Sequence, residues 1–342
     1  MLIVAGLSLK NLHPRVWDGD SQYFLPDLRA VMVSYGEFHR MPRQRHSAMK
    51  TGLRAYLGVP DNVLIYLDNG AFSLLNSIEE RPLEEYDAFV KEAKPDWYPI
   101  PRDYIPIPSM TAAEREDAYR RTMTVNRAYE HDGYVPVVHI GEYLETYSRA
   151  ITRNTRLACK PAIALGGIVP NLLRTSRAIP YADVLAGLQH VRSMFDDKVL
   201  HVFGMGGTAT IHIAALLRLD SVDSSGWRNR AARGIVQLPG SGDRSVANLG
   251  KWRGRALNSI EIDLFRACSC PACCQYQVEG LRMGGMAGFC NRATHNLWVL
   301  LEEARLVREQ LAQHSYVGWY ENHLDNTTYR PLIDRLVTQT GR

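Results

Sequence analysis

The sequence predicts an α/β fold: a (β/α)8 TIM-type barrel with a C-terminal zinc-binding subdomain. Three observations predict it. Eight short runs rich in Val, Ile, Leu, Tyr and Phe recur with helix-length segments between many of them. The runs are near-continuously apolar and do not alternate, as expected for strands covered on both faces and therefore for a parallel sheet. Their rhythm stops near residue 240, and a tight cysteine cluster and a long charged helical stretch follow. Eight strands with their crossovers in about 225 residues match a closed barrel, with a doubly wound open sheet as the competing architecture.

The runs are LIVAG (2–6), VMVSY (31–35), VLIYL (63–67), WYPIP (97–101), VPVVHI (135–140), AIAL (162–165), VLHVF (199–203) and DSVDS (220–224). Helical connections are expected at 82–94 after Pro82, at 111–131 where Thr111 precedes early acids, and at 142–152, 181–196 and 208–218. A GSGDR loop comes next, then the cysteines, then a helix over about 291–313. The chain thus divides into a barrel catalytic domain, 1–240, and a zinc-binding subdomain with C-terminal helices, 241–342, packed on the barrel.

With 342 residues, 46% of them hydrophobic, the chain can bury a large core. A net charge of +4 tolerates a polyanionic partner without demanding one. No stretch reaches the ~18 to 20 apolar residues that span a bilayer, and the apolar run in MLIVAGLSLK is too short for a secretion signal. A cytoplasmic location without membrane contact is expected. Four of the six cysteines fall between 268 and 274, a local cluster that suits a metal in a reducing compartment better than a disulfide framework.

In a barrel of this kind the C-terminal strand ends build the active site. Asp68 stands at one such end, followed by a turn-forming Asn69-Gly70 pair; Asp103 follows another; His139 marks a third. Gly166-Gly167 end AIALGG; Gly204, Gly206 and Gly207 end VLHVFGMGG; Asp220 and Asp223 belong to DSVDSSGW. Glycines there let a flat ligand approach backbone N–H and C=O groups. Each residue also has an ordinary reading: a strand-end Asp is a good helix cap or turn residue, His139 could satisfy backbone groups, and the glycines could simply form turns. GMGG lacks the spacing of a phosphate-binding loop.

The sharpest signal is metal binding. Cys268, Cys270 and Cys273 in C-x-C-x2-C spacing, with His295 twenty-two residues on, can close a tetrahedron around Zn²⁺ by pairing a knuckle with a helix. Cys274 or Cys290 could replace one of these ligands, and a cluster of buried free thiols is the plain alternative. Three thiolates and an imidazole leave no open coordination position, so such a zinc is structural.

Taken together, these segments resemble the tRNA-guanine transglycosylase superfamily over roughly residues 60 to 310. LDNGAF is similar to the family's Asp-Ser-Gly-Gly-Phe segment, ALGG to its Gly-Gly segment, HVFGMGG to Met-Gly-Val-Gly, and DSVDS to the Asp-x-x-Asp nucleophile segment. The cysteines followed by Thr294-His295-Asn296 resemble its zinc site. The resemblance implies that Asp223 is the nucleophile that expels guanine and forms a covalent glycosyl-enzyme. It also implies that Asp68 is the general acid and base, that Asp103 faces the guanine N1–H and 2-amino group, and that Gly166-Gly167 backbone meets O6. Gly204 belongs to the same substrate-binding set. His139 stands where many relatives have Gln. A base in a nucleic acid must leave its stack to enter such a pocket.

After the nucleophile, bacterial tRNA-modifying relatives continue Cys-Val-Leu-Pro-Thr-Arg, whereas this chain reads SSGWRNRAARG. That is more like the DpdA branch, which inserts 7-cyano-7-deazaguanine (preQ0) into DNA. The expected function is therefore DNA-guanine transglycosylase, with tRNA-guanine transglycosylase as the alternative. A 7-deazaguanine nucleoside hydrolase and a non-catalytic zinc-stabilised nucleic-acid-binding protein stand behind these. Accessory proteins of a DNA-modification system and a homodimer fit the same resemblance. HRMPRQRH (39–46), RNRAARG (228–234) and KWRGR (251–255), with Trp227 and Trp252, could bind phosphates and stack bases, or could be ordinary solvated surface.

Overall fold

A computed structural model describes residues 1–75, 82–172, 177–249, 254–325 and 328–340 of the chain. Its elements begin with β1 (Leu2–Gly6), β2 (Ala30–Ser34), α1 (Tyr35–Arg40), α2 (Pro42–Thr51), α3 (Leu53–Leu57), β3 (Leu64–Asp68), a 3-10 turn (Ala71–Leu74) and α4 (Leu83–Ala93). After α5 (Ala112–Ala128) come β4 (Val137–His139), α6 (Leu144–Arg153), α7 (Thr155–Ala158), β5 (Ala162–Gly166), α8 (Ile168–Leu172) and α9 (Tyr181–Met194). Then follow β6 (Val199–Val202), α10 (Thr208–Leu216), β7 (Ser221–Ser224), α11 (Gly226–Ala232), β8 (Ile235–Leu238) and β9 (Gly242–Ser245). Five helices complete the chain: α12 (Ser259–Arg266), α13 (Pro271–Arg282), α14 (Gly285–Ala312), α15 (Tyr316–His323) and α16 (Arg330–Thr340).

Seven parallel strands pair in the order β3-β2-β1-β7-β6-β5-β4. The eighth expected strand, WYPIP, is not one by its ladder, but it occupies the eighth place. Tyr66 bridges Trp97 and Pro99 bridges Val135, both in parallel sense. Trp97 donates to Ile65 O (3.2 Å) and accepts from Leu67 N–H (2.8 Å), while Val135 donates to Tyr98 O (2.9 Å) and accepts from Ile100 N–H (3.2 Å). The two outer strands are thereby joined and the sheet curls into a ring. Pro99 and Pro101 have no N–H to extend the ladder, which is why the segment bridges without becoming a strand.

Most connections are helical, as expected, with ends shifted by a few residues. α5 opens where Thr111 predicts: its hydroxyl accepts from Glu114 N–H (3.3 Å) and the Glu114 carboxylate accepts from Thr111 N–H (2.7 Å). The GSGDR stretch, expected as a loop, is instead the turn and part of the second strand of the antiparallel β8–β9 hairpin. Gly240 and Gly242 adopt positive φ there (65° and 85°), which admits so tight a reversal. No helix lies between β1 and β2. α14, which begins earlier than its expected start near 291, packs on β1 as well as on α10, α11, α13 and β8.

One large core therefore joins barrel and C-terminal helices, with Ala293, Leu297, Leu300 and Val307 of α14 in the same cluster as Ile3 and Val222. A smaller core of Val236, Leu238, Phe265, Val278 and Leu281 surrounds Cys270 and Cys273. Between the two lies a buried polar clasp. Glu303 Oε1 takes His212 Nε2 (2.8 Å) and His323 Nε2 (2.7 Å), Oε2 accepts from Gly240 N–H (3.1 Å), and His212 Nδ1 meets Tyr316 Oη (2.8 Å). Glu303 and His212 are wholly buried, and these donors hold the Glu303 carboxyl below its usual range despite the burial. The spacings are those of direct hydrogen bonds; ligands about 2.0 Å from a shared metal would stand nearer ~3.3 Å apart. Among the described residues no helix is long and apolar enough to cross a membrane. Glu303→Ala, which leaves the buried His212, the half-buried His323 and the Gly240 N–H without their acceptor, should cost on the order of 3 kcal/mol in chemical denaturation.

Candidate active site and metal centre

Parallel pairing sets every strand's C-terminal end on one rim, so register decides which side chains meet there. Ser34 lies level with Asp68 across β2–β3, and His139 with Gly166 across β4–β5. The ring brings Asp68, Asp103 and Asp223 within electrostatic reach of one another. Burial pushes the Asp68 carboxyl up to about 7, against a hydrogen bond from Ser34, and the negative charges of Asp103 and Asp223 add to the rise. Gly70 N–H also donates to Asp68 Oδ2 (3.0 Å).

Asp103 is buried and held through Oδ1. Asn69 Nδ2 donates to Oδ1 (2.7 Å) and to Ile100 O (2.9 Å), while His139 Nε2 stands 3.0 Å from Oδ2. A Cβ on Gly166 would come within 2.8 Å of His139 Nδ1, so the glycine makes room for that ring. Gly167 sits at positive φ (76°), and its carbonyl accepts from Asn171 Nδ2 (2.9 Å). Gly204 N–H is directed to Asp223 Oδ1 (2.7 Å) and Gly206 N–H to the Asp223 carbonyl (2.9 Å). A cavity of about 440 Å³ borders Asp103 together with Ala71, Arg102, Tyr104 and Arg121, and another of about 290 Å³ borders His139 and Tyr147.

The Asp220 carboxylate stands at the other end of β7, accepting from Leu200 N–H (2.8 Å) and pairing with Arg192 (3.2 Å), so it supports the strand's start. Two neighbours of the acids were not singled out from the sequence. Asn69 reads there as a turn residue, yet its amide holds Asp103. His201 interrupts the apolar run VLHVF and places Nε2 3.6 Å from Asp223 Oδ1; a lone polar residue in a buried strand was the available signal.

The expected metal ligands come together at the far end of the chain. Cys268, Cys270, Cys273 and His295 form one cluster; Cys274 is exposed with its thiol toward the Cys268 carbonyl (3.6 Å), and Cys290 is not part of it. The three sulfurs stand 3.6, 3.6 and 3.4 Å from His295 Nδ1. A tetrahedral ion with Zn–S of about 2.3 Å and Zn–N of about 2.0 Å would separate S and N by about 3.5 Å, so the donor set fits such an ion. Cys273 N–H points at Cys270 Sγ (3.3 Å), and His295 Nε2 donates to Gln237 O (2.9 Å), which frees Nδ1 as the ligand. Thiol hydrogen bonds pull the Cys268 thiol far down, while the thiols of Cys268 and Cys270 push Cys273 far up. Asn296 fastens the same helix turn, accepting from Gln237 N–H (2.7 Å) and donating to Trp227 O and Ile235 O (3.1 Å each).

The basic segments divide. Arg43, His46 and Lys50 are exposed on α2, whereas Arg228 is buried and donates to His13 O (2.7 Å) and Asn11 O, and Arg230 pairs with Asp243 (2.8 Å). Trp227, expected as a stacking residue, is wholly buried with its indole N–H on Gly6 O (3.1 Å) and has no face for a base. Lys251, Trp252 and Arg253 lie outside the described residues.

Residues 25–329 match the family model described as queuine tRNA-ribosyltransferase. The chain belongs to this family. It is 25% identical over 289 residues to the tRNA-guanine(15) transglycosylase of Thermococcus onnurineus, covering 80% of this chain and 44% of that protein. To the protein of the same name from Pyrococcus abyssi it is 23% identical over 282 residues, covering 79% and 43% respectively. The chain thus spans less than half the length of these relatives. The family match agrees with the superfamily to which the motifs pointed and does not distinguish its DNA-modifying branch.

In this family member the folded state binds the Asp68 proton more tightly than the unfolded chain does. Stability should therefore fall as pH rises from the ordinary carboxylate range through about 7. Asp68→Asn should melt above the wild type at about pH 8, by on the order of 2 kcal/mol, and close to it at about pH 4, in parallel thermal scans.

Proposed function

We propose that this protein is a guanine transglycosylase that exchanges guanine in a polynucleotide for a 7-deazaguanine through a covalent aspartyl-glycosyl intermediate. The observation that carries the reading is the grouping of three carboxylates on one barrel rim, with Asp68 held near neutrality and Asp223 fixed by Gly204 N–H. Asp223, partly exposed at 15%, attacks C1′ of the nucleotide, and Asp68, protonated, gives its proton to the departing base. The resulting Asp68 carboxylate then takes the proton of the incoming base. A carboxyl near 7 serves both halves because each form is populated around neutral pH. Asp103, held by Asn69, presents its remaining lone pairs to the N1–H and 2-amino donors of guanine. His139 and the Gly166-Gly167 backbone form the adjoining edge.

The metal is proposed to be a structural zinc held by Cys268, Cys270, Cys273 and His295, which fixes α13 and α14 against the β8–β9 hairpin. It leaves the chemistry to the acids. The named relatives favour tRNA as the polynucleotide. DNA is the second reading, supported by the divergent SSGWRNRAARG after Asp223.

Wild-type protein should incorporate labelled guanine into nucleic acid and form an adduct that survives denaturation. Asp223→Asn should abolish the adduct and lower exchange by about 10³-fold or more. Supplying tRNA and single-stranded DNA separately decides the polynucleotide; a wild type inactive on both would reject the reading. One zinc per chain is expected by metal analysis, and His295→Ala should lose it with a drop in melting temperature.

A further inference from the structure

We propose that His201 is a positioning residue for the nucleophile: it holds Asp223 Oδ1 so that Oδ2 faces the sugar, and it steadies the carboxylate when the glycosyl ester breaks. The inference rests on the transglycosylase reading.

His201 is buried in β6 with 1% exposure. Its ring centroid lies 5.5 Å from that of Tyr66, 4.9 Å from Trp97 and 4.7 Å from Phe203. Such a box packs the ring but offers Nε2 no hydrogen-bond partner, and Nε2 is unpartnered. A buried ring nitrogen without a partner is unfavourable, so its direction has meaning. That direction is toward Asp223 Oδ1, 3.6 Å away, a separation that a shift of under about one ångström brings to hydrogen-bond length.

The two sides of the ring agree on one tautomer. Nδ1 meets Ser221 Oγ at 2.9 Å. With the hydroxyl donating to Nδ1, the ring proton stands on Nε2, facing the carboxylate; the opposite tautomer would set a lone pair against Asp223. Gly204 N–H already occupies the same oxygen at 2.7 Å. Among the described residues nothing donates to Oδ2. The nucleophile's backbone is fixed as well: a Cβ on Gly206 would reach 2.4 Å from Ser224 Cβ and 2.7 Å from the Asp223 carbonyl oxygen.

In the first half-reaction Oδ2 bonds to C1′ while the C1′–N9 bond breaks, and guanine leaves with the electron pair and the Asp68 proton. In the second, N9 of the incoming base bonds to C1′ and its proton passes to Asp68. The C1′–Oδ2 bond breaks and its electron pair returns to Asp223. Negative charge then reappears on the carboxylate, where the Gly204 and His201 N–H groups already point. The histidine keeps its proton throughout.

The test is exchange of labelled guanine into tRNA and single-stranded DNA, with the adduct chased by unlabelled guanine. His201→Leu should lower kcat by about 10- to 100-fold with KM within about twofold, and lengthen the adduct's chase half-life by about tenfold. His201→Gln, whose amide can donate from the same region, should recover to within about fivefold of wild type. Ser221→Ala, which frees the ring orientation but keeps the aromatic box, should fall between them. Wild-type kinetics in H201L would overturn the inference. So would an H201Q as slow as H201L with unchanged melting temperature and metal content. A wild type that exchanges guanine into neither polynucleotide would overturn the transglycosylase reading, and this inference with it.

Discussion

The site depends on the closure of the sheet at residues 97–101. Without the hydrogen bonds at Trp97 and Val135, β3 and β4 would be the two free edges of a seven-stranded sheet. Asp68 and His139 would then stand at opposite ends of it. Closure makes them near neighbours and inserts Asp103, two residues past Pro101, between them. The same step removes both exposed sheet edges, which an open sheet would have to protect in other ways. A segment poor in ladder bonds thus has large consequences, because a ring needs only one join to be complete.

The charges of Asp103 and Asp223 both raise the Asp68 carboxyl, and the surrounding donors are shared out unequally among the three acids. Asp103 takes Asn69, with His139 beside its second oxygen; Asp223 takes Gly204; Asp68 is met by Ser34 and Gly70, and burial still pushes its carboxyl up to about 7. Burial without full compensation leaves Asp68 with the raised carboxyl, and Asp223 is the acid whose Oδ1 and main-chain carbonyl both accept backbone N–H groups.

The cysteine–histidine cluster belongs to the same mechanical unit. His295 and Asn296, adjacent on α14, bind opposite groups of one residue: Gln237 O accepts from the imidazole and Gln237 N–H donates to the amide. Asn296 reaches Trp227 O besides, and Trp227 holds Gly6 at the end of β1. Two hydrogen bonds therefore tie this helix turn to the β8–β9 hairpin, and two more run through Trp227 to the barrel rim at Gly6. This gives the Thr-His-Asn sequence a physical reason for following the cysteines.

The sequence alone determined the parts whose information is local. Apolar runs marked the strands, Thr111 and Glu114 marked a helix start, C-x-C-x2-C with His295 marked a four-residue cluster able to hold a metal, and acids at strand ends marked the rim. Tertiary structure decided what local pattern leaves open. WYPIP reads as a strand, yet its prolines leave only single bridges to each side; GSGDR reads as a loop, yet a register with Ile235–Leu238 makes a hairpin. Trp227 and Arg228 read as surface binding residues, but α14 and the N-terminal loop bury them. Asn69 and His201 carry no motif, since their importance lies in which carboxylate each one faces. Spacing along a chain fixes periodicity and ligand knuckles, whereas the proximity of Asp68, Asp103 and Asp223, separated by up to 155 residues, exists only once the ring has closed.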